Sequence, residues 1–250
     1  MRRTARRPLA PRLPPASTPE SQEASMSHIL LINPNTSSAT TQMMVEIARA
    51  WFAQTMAAPP TVVGATVTRG APMIIDEDDL AVAAEAICDA DMLRLAGRAD
   101  GVIVGAFGDP GIEALRAHLS VPVVGIGEAS MHAAAAGRRR FGIATTTPRL
   151  AASISASVRR HGLGELFTGA RFTEGDPRAL GGTPQQQEDL LAGAVDTCIR
   201  ADGAQAVIIG GGPLGEAARA LGLRFPIPVI GPVPAACEAM AQALRYCPAA

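Results

Sequence analysis

Short apolar runs of the kind that form buried strands occur along this chain in two similar series. Each run ends in a small or polar residue, and the runs follow one another in the same order in both series. The pairs are 29–33 (ILLIN) with 141–145 (FGIAT), 102–106 (VIVGA) with 207–211 (VIIGG), and 121–125 (VPVVG) with 227–231 (IPVIG). This order predicts two related lobes within one chain.

The segments between these runs are rich in alanine and have the apolar spacing of helices. Strands that alternate with helices are typical of an α/β fold with parallel sheets. Aromatic residues make up only 3% of the chain although 48% of it is hydrophobic, so many small aliphatic contacts must build the core. We therefore predict two pseudo-symmetric lobes, each a short parallel sheet flanked by helices, with a cleft between them. Ligands of such sheets bind beyond the carboxyl ends of the strands.

Composition divides the chain into a tail and two lobes. Residues 1–25 carry five arginines and five prolines, and their lack of apolar periodicity predicts a disordered tail. No apolar segment follows Arg2 and Arg3, which argues against an export signal. An early start codon, with Met26 as the functional first residue, and an organelle transit peptide are both left open. Residues 26–127 are predicted to form the first lobe and 128–232 the second, while 233–250 return to the first.

Charge and cysteine content exclude several classes of function. The formal net charge is −1, which predicts no nucleic-acid and no membrane-surface partner. No run approaches the ~18 apolar residues of a membrane span, so we expect a cytoplasmic protein. The four cysteines are too scattered for a disulfide scaffold or a zinc cluster, and no metal site is predicted. They are Cys88, Cys198, Cys237 and Cys247.

Apolar spacing also places the main helices of the chain. They are predicted at 37–57, 78–97, 110–119, 188–201 and 234–245, with a further strand at 61–68. Cys88, Cys198 and Cys237 then fall on helices and not in loops that follow strands. Buried cysteines in such positions usually act as small hydrophobic residues.

Four loops that follow predicted strands carry polar or very small residues. Amides and hydroxyls dominate 33–38 and 145–148, whereas glycines dominate 105–111 and 210–215. Together they suit a small substrate with carbonyl or carboxylate oxygens, and they would stabilise negative charge that develops there, as in an enolate. The glycines form neither a P-loop nor a dinucleotide-binding fingerprint. Helix capping is the structural alternative for the hydroxyl and amide loops.

Four motifs in these segments resemble the aspartate/glutamate/hydantoin racemase superfamily, and most closely its hydantoin racemase branch. The motifs are ILLINPNT at 29–36, VGAFGDPG at 104–111, VPVVGIGEA at 121–129 and IIGGGPL at 208–214. The resemblance covers about 26–245. It implies a pseudo-symmetric two-lobe fold, a homo-oligomer, a small substrate held between the lobes and no cofactor. With the substrate in this place, the residues of the four loops that we predict to bind it are Asn33, Asn35, Thr36, Ala106, Phe107, Gly108, Thr145, Thr146, Gly211 and Gly212.

The chain departs from this family at the two positions that carry its chemistry. The family exchanges a proton on the carbon next to a carbonyl, with one cysteine on each face of a planar carbanion. The resemblance places these cysteines at Ala106 and Gly211, and neither residue can transfer a proton. The two-cysteine mechanism is therefore not available to this chain.

Asp109 is the nearest acid/base candidate to the first of these positions. Its place before Pro110 also fits a helix N-cap, with proline at the first helical position. Glu128, His118, His132 and His161 are weaker candidates with capping, packing or surface roles as alternatives.

The resemblance thus implies isomerase-type proton transfer alpha to a carbonyl of a small amino-acid-derived substrate, a hydantoin or a related amide or acid. The missing cysteines leave two alternatives. One is a thiol-independent lyase or hydrolase on the same scaffold, with Asp109 as its acid or base. The other is a racemase homologue that binds a small ligand without catalysis.

Overall fold

The computed structural model describes residues 27–175 and 184–246 as two parallel sheets with helices packed around them. The strands of the first sheet are β1 (His28–Asn33), β2 (Thr61–Thr66), β3 (Gly101–Val104) and β4 (Val123–Gly125). Those of the second sheet are β5 (Phe141–Thr145), β6 (Phe167–Phe172), β7 (Ala206–Gly210) and β8 (Val229–Ile230).

Helices connect consecutive strands in both sheets. In the first half they are α1 (Ser38–Thr55), α2 (Glu77–Ala86), α3 (Ala90–Ala96), α4 (Ile112–His118) and α5 (Ile126–Ala135). In the second half they are α6 (Ala151–Arg160), α7 (Pro184–Arg200), α8 (Gly215–Arg224) and α9 (Pro232–Tyr246). Short 3-10 helices occur at Ala136–Arg138, Pro148–Leu150 and Gly212–Leu214.

The two sheets have the same strand order. The first runs β2-β1-β3-β4 and the second β6-β5-β7-β8, with every neighbouring pair parallel. The three pairs of similar apolar runs correspond to β1 with β5, β3 with β7, and β4 with β8. The predicted α/β fold with two pseudo-symmetric lobes is confirmed.

Helices α5 and α9 join the lobes. In α5, Ile126 belongs to the core around β1 and β3, whereas Met131 belongs to the core around β5 and β7. The buried Cys237 and Met240 of α9 pack into the same core as Ile126. The two helices also pack against each other. A boundary between 127 and 128 therefore falls inside a helix whose side chains enter both cores.

Several predicted elements have different limits. The helix predicted at 78–97 is two helices, because Asp89 takes an extended conformation between them and its carboxylate accepts two hydrogen bonds of 3.1 Å from Arg69. Cys88 consequently lies in a turn and not on a helix. The helix predicted at 110–119 begins at Ile112, with Gly111 as its N-cap. The strand predicted at 61–68 ends at Thr66. Strand β6 and helices α6 and α8 were not predicted.

The predicted disordered tail and Cys247 lie outside the described residues. Within residues 27–175 and 184–246, no helix is both long and apolar enough to cross a membrane.

Replacement by alanine should change the stability of the protein in opposite directions at two glycines in helices. A β-carbon on Gly127 in α5 would overlap the Phe107 carbonyl oxygen and lie 2.7 Å from an Asp109 carboxylate oxygen. A β-carbon on Gly193 in α7 would meet no atom within 4 Å. We expect Gly127→Ala to lower the free energy of unfolding by about 1–3 kcal/mol through overpacking. Gly193→Ala should raise it by about 0.5–1 kcal/mol.

Urea unfolding of the two variants beside the wild type measures both changes. A Gly127→Ala variant as stable as the wild type would contradict the tight packing of α5 against the loop after β3.

Candidate active site

A cavity of about 730 Å³ lies at the carboxyl ends of the strands. All four loops singled out in the sequence contribute to its wall: Asn35 follows β1 and Ala106 follows β3, while Thr146 follows β5 and Gly211 follows β7. Because the strands of each sheet are parallel, these loops emerge from the same edge of their sheet. The cavity is therefore shared by both lobes.

The cavity wall combines hydroxyls and amides with a large apolar surface. Its polar side chains belong to Asn35, Thr40, Thr146, Thr147, Ser153, Ser157, Arg160 and Gln187. Its larger apolar side chains belong to Met43, Met73, Ile74, Leu80, Phe107, Leu150, Ile154 and Leu214. Among the described residues, no Asp, Glu, His or Cys lines it, and Arg160 is its one charged side chain. Such a cavity can hold a polar head group together with an apolar substituent.

In the loop after β1, the amide of Asn33 orients the amide of Asn35, which lines the cavity. The Asn35 Oδ1 atom accepts hydrogen bonds from Asn33 Nδ2 (2.8 Å) and from the Ser37 backbone N–H (2.9 Å). Asn33 is fully buried, and its Nδ2 also donates to Thr41 Oγ1 (3.0 Å). These contacts fix the orientation of the Asn35 amide. The Nδ2 group of Asn35 is then the donor that faces a ligand.

The same loop also forms the helix cap that the sequence left open as an alternative. The Ser37 hydroxyl oxygen accepts a hydrogen bond from the Thr40 N–H (3.2 Å) at the start of α1. The Thr36 N–H donates to the Ala71 carbonyl (3.1 Å). Capping and cavity lining are therefore divided between neighbouring residues of one loop.

The loop after β5 is tied to the neighbouring strand β7. The Thr145 hydroxyl donates to the Gly210 carbonyl oxygen at 2.5 Å, and its side chain is buried. Thr146 and Thr147 follow and line the cavity. Thr145 thus positions the ends of two strands, while the next two hydroxyls reach the cavity.

Ala106 and Gly211 both line the cavity, on loops that contact each other across the lobes. A β-carbon on Gly212 would lie 3.0 Å from the Gly105 carbonyl oxygen, so the two backbones approach closely. Gly211 has an extended backbone, with a φ of 169°. At these two positions, the loop after β3 therefore offers a methyl group to a ligand, and the loop after β7 offers a backbone without a side chain.

Asp109 occupies a buried place behind the cavity and is not part of its wall. Its Oδ1 accepts from the Gly127 N–H (2.8 Å) and its Oδ2 from the Glu128 N–H (2.7 Å), so it caps α5 from a distance in sequence. The expected cap of the following helix is wrong, because that helix begins after Gly111. Asp109 has a φ of 47°, a left-handed conformation that aspartate tolerates better than most residues.

Burial raises the pKa of the Asp109 carboxyl to about 7, because loss of solvent outweighs the two N–H donors. The geometry gives Asp109 a structural role, and a catalytic role stays a prediction.

The weaker acid/base candidates also lie away from the cavity wall. Glu128 forms an ion pair with Arg116. The His118 ring contacts the Ala114 carbonyl at 2.7 Å. His132 and His161 form an edge-to-face pair with ring centres 5.7 Å apart, and burial lowers the pKa of His161.

The three described cysteines do not line the cavity either. Cys198 on α7 and Cys237 on α9 are buried in the two cores. Burial raises the pKa of the Cys198 thiol to about 12 and that of Cys237 well above its usual range. Cys88 is half-buried, and burial raises its pKa as well. A thiolate is therefore disfavoured at all three positions.

Two parts of the cavity wall were missed in the sequence. One is 72–74 with Leu80, and the other is a face of α6 that carries Ser153, Ser157 and Arg160. The spacing of these three residues by four and three positions puts them on one helix face, a signal that was available.

Residues next to these two parts connect the lobes across the cleft. Arg149 Nη2 lies 2.9 Å from the Asp76 carboxylate, and the Ser153 hydroxyl donates to Glu77 Oε1 at 2.9 Å.

The structure brings most of the residues predicted to bind substrate to the cavity wall. Asn35, Ala106, Phe107, Gly108, Thr146, Gly211 and Gly212 line it. Asn33 and Thr145 lie directly behind it, and Thr36 bonds to the neighbouring segment. Binding of a substrate by these residues stays a prediction. In the described part of the chain, no group of three or more His, Cys, Asp or Glu side chains could hold a metal ion.

Comparison with known proteins relates the chain to racemases. The family model of the Asp/Glu/Hydantoin racemases matches residues 29–240. A hydantoin racemase of Rhizobium meliloti is 31% identical over 225 residues, which cover 87% of this chain and 88% of the relative. A hydantoin racemase of Paenarthrobacter aurescens is 28% identical over 212 residues, with coverage of 84% and 88%.

A solved structure has the same fold over most of its length. The allantoin racemase from Pseudomonas fluorescens superposes with a TM-score of 0.80 at 27% identity, over 87% of this chain and 91% of that one. These matches confirm the resemblance identified from the four sequence motifs.

Replacement of Asp109 by asparagine should destabilise the protein in a pH-dependent way. An amide oxygen can accept only one of the two α5 N–H groups, so one buried donor loses its partner at a cost of about 1–3 kcal/mol. The pKa of Asp109 is raised by folding, so its contribution to stability is present below pH ~4 and is lost as the pH rises towards 7.

The stability advantage of the wild type over Asp109→Asn should therefore shrink between pH 4 and 7, by at most about 1.4 kcal/mol per pH unit. Urea unfolding of both proteins at several pH values measures it. Parallel profiles over this range would show that Asp109 does not titrate as described.

Proposed function

Since this chain belongs to the Asp/Glu/Hydantoin racemase family, we propose that it catalyses isomerase-type proton transfer on a small amino-acid-derived compound. The proton is exchanged at the carbon next to a carbonyl, as in a hydantoin or a related amide or acid. Two similar proteins are named hydantoin racemases and a third is an allantoin racemase, which supports this class of reaction.

One observation about the cavity carries the proposal. Donor groups from both lobes line it: the Asn35 amide follows β1, the Thr146 hydroxyl follows β5, and the Gly212 backbone follows β7. The neighbouring Gly211 N–H is not among them, because it donates to the Ile209 carbonyl at 3.0 Å. Donors held in place before the reaction stabilise negative charge on an enolate oxygen more strongly than water does. Removal of the α-proton becomes easier to the extent that this charge is stabilised.

The proton carriers of this reaction cannot be thiols at the two family positions, because Ala106 and Gly211 occupy them. Lysine is not available as a base either, since the chain contains none. The proposed base is hydroxide from solvent, which takes the α-proton to form water. A water molecule in the cavity then returns a proton to the carbanion, which regenerates hydroxide.

A second candidate function is binding of the same class of compound without turnover. The observation in its favour is the lack of Asp, Glu, His and Cys among the described residues that line the cavity. A lyase or hydrolase that relies on Asp109 has no such support, because this carboxylate caps α5.

The proposal also includes properties expected from the family resemblance and from the charge and apolar content of the sequence. We propose a cofactor-independent reaction, a homo-oligomeric assembly and a cytoplasmic location, without a nucleic-acid or membrane partner.

Exchange of the α-proton with solvent tests the proposed reaction. Hydantoins with apolar side chains and the corresponding N-carbamoyl amino acids are incubated with the protein in D₂O, and the α-proton signal is followed by NMR. We expect the signal to disappear faster than without protein for at least one compound. Polarimetry then separates racemisation from exchange that preserves the configuration. Ligand-dependent thermal stabilisation without exchange would favour the binding function and contradict the proposed reaction.

Two cysteines placed at the family positions should install a faster reaction. The β-carbon of Ala106→Cys takes the place of the alanine methyl group. That of Gly211→Cys would lie 2.9 Å from Leu214 Cδ1, so the Leu214 side chain has to shift by a few tenths of an ångström. The extended backbone of Gly211 accepts any residue. A thiol on each face of the α-carbon supplies both proton carriers, so we expect the double variant to racemise a hydantoin at least about 100-fold faster than the wild type.

The matched control is the double variant with serine at 106 and 211, which has the same shape but no acidic thiol. If the cysteine pair folded and were no faster than the serine pair, the assignment of these positions would be wrong.

A further inference from the structure

We propose that Arg160 makes this cavity selective for an anionic substrate, one that carries a carboxylate as well as an apolar side group. The inference rests on the proposed function of the same cavity and names its substrate class. It adds a specificity-determining residue on α6, away from the loops that follow the strands.

Arg160 is the charged group of a cavity wall that is otherwise neutral in the described residues. It is the last residue of α6, and its Nη2 donates to Ser157 Oγ at 3.3 Å. No carboxylate of the described residues lies within ion-pair distance of its guanidinium, whereas Arg149 on the same side of the cleft is paired with Asp76. The remaining donors of Arg160 are therefore free for a ligand.

Ser157 supports the same interpretation. Its side chain is 3% exposed, lies on the cavity wall and accepts the hydrogen bond from Arg160. This contact holds the guanidinium near the wall although Arg160 itself is exposed. The Ser157 hydroxyl keeps its own hydrogen for a second acceptor, so a carboxylate can bind Arg160 and Ser157 together.

The chemistry of the guanidinium favours a carboxylate over a neutral group. It is planar, always charged and presents paired N–H donors that match the two oxygens of a carboxylate. Since no acidic side chain of the described residues lines the cavity, no internal carboxylate competes for Arg160 there. A neutral cyclic amide would leave these donors unused.

The apolar wall sets the second part of the substrate class. Met43, Met73, Leu80, Leu150 and Ile154 line the cavity on the two sides of the cleft. Flexible methionine side chains adapt to substituents of different shape. An amino-acid derivative with an aliphatic side chain and a free carboxylate uses this wall and Arg160 at once, while its carbonyl faces the loops.

A matched pair of probes tests this selectivity. N-acetyl-leucine and N-acetyl-leucinamide have the same side chain and differ in the carboxylate. Isothermal titration calorimetry of the wild type should give at least about 10-fold tighter binding of the acid. Arg160→Gln should reduce this preference to less than about 2-fold by weakening the acid alone. The affinity of the wild type for the acid should also fall with added NaCl.

Arg159→Gln is the matched control, because it removes the same charge from the neighbouring position, which is exposed and does not line the cavity. It should keep the wild-type preference. Equal binding of both probes, binding of neither, or a preference that survives in Arg160→Gln would each overturn the role of Arg160.

The outcome is separable from the proposed reaction. Exchange of neutral hydantoins in D₂O that is unaffected by Arg160→Gln would leave the reaction standing and reject the anionic substrate. Selective binding of N-acetyl-leucine together with no exchange of any compound would do the reverse.

Discussion

The buried contact between Asp109 and the first turn of α5 connects the loop after β3 to a helix that both lobes share. Its carboxylate accepts two backbone N–H groups of a helix whose side chains enter both cores. The loop that carries Ala106 to Gly108 is thereby fixed to the element that the lobes share. Thr145 has the corresponding effect in the second lobe, where its hydroxyl binds the Gly210 carbonyl. The cavity between the lobes depends on both contacts.

The described cavity wall lacks the acid/base side chains that the proposed proton transfer would use. Its described residues provide oriented donors, an apolar surface and one guanidinium, while the acidic groups and thiols lie elsewhere. Asp109 and Asn33 are buried behind the wall, and their polar atoms form hydrogen bonds with the backbone or with another side chain. These two residues thus hold the loops of the cavity in place, and residues next to them in the loops contact a ligand.

The sequence indicated the fold and four of the loops at the cavity with good accuracy. Parallel strands end at one edge of a sheet, so small or polar residues after β1, β3, β5 and β7 had to meet there. Capping was harder to predict, because Asp109 precedes Pro110 and looks like the cap of α4, yet its side chain reaches α5. Local sequence rules describe neighbouring residues and cannot detect a partner helix that lies 18 positions further on. The α6 wall was missed although Ser153, Ser157 and Arg160 have helical spacing, because that spacing does not show that the helix lies against the cavity.

What the sequence determined by itself is the pair of related lobes, since the order of apolar runs and helical spacing is a local property that each segment carries alone. It also determined that Ala106 and Gly211 cannot transfer protons, because that follows from the side chains themselves. Only the tertiary structure decided which groups face the ligand. Asn35 faces the cavity and Asn33 does not, Arg160 joins the wall from a helix, and α5 and α9 bind the lobes to each other. These outcomes depend on packing between distant segments, and packing is settled when the chain folds as a whole.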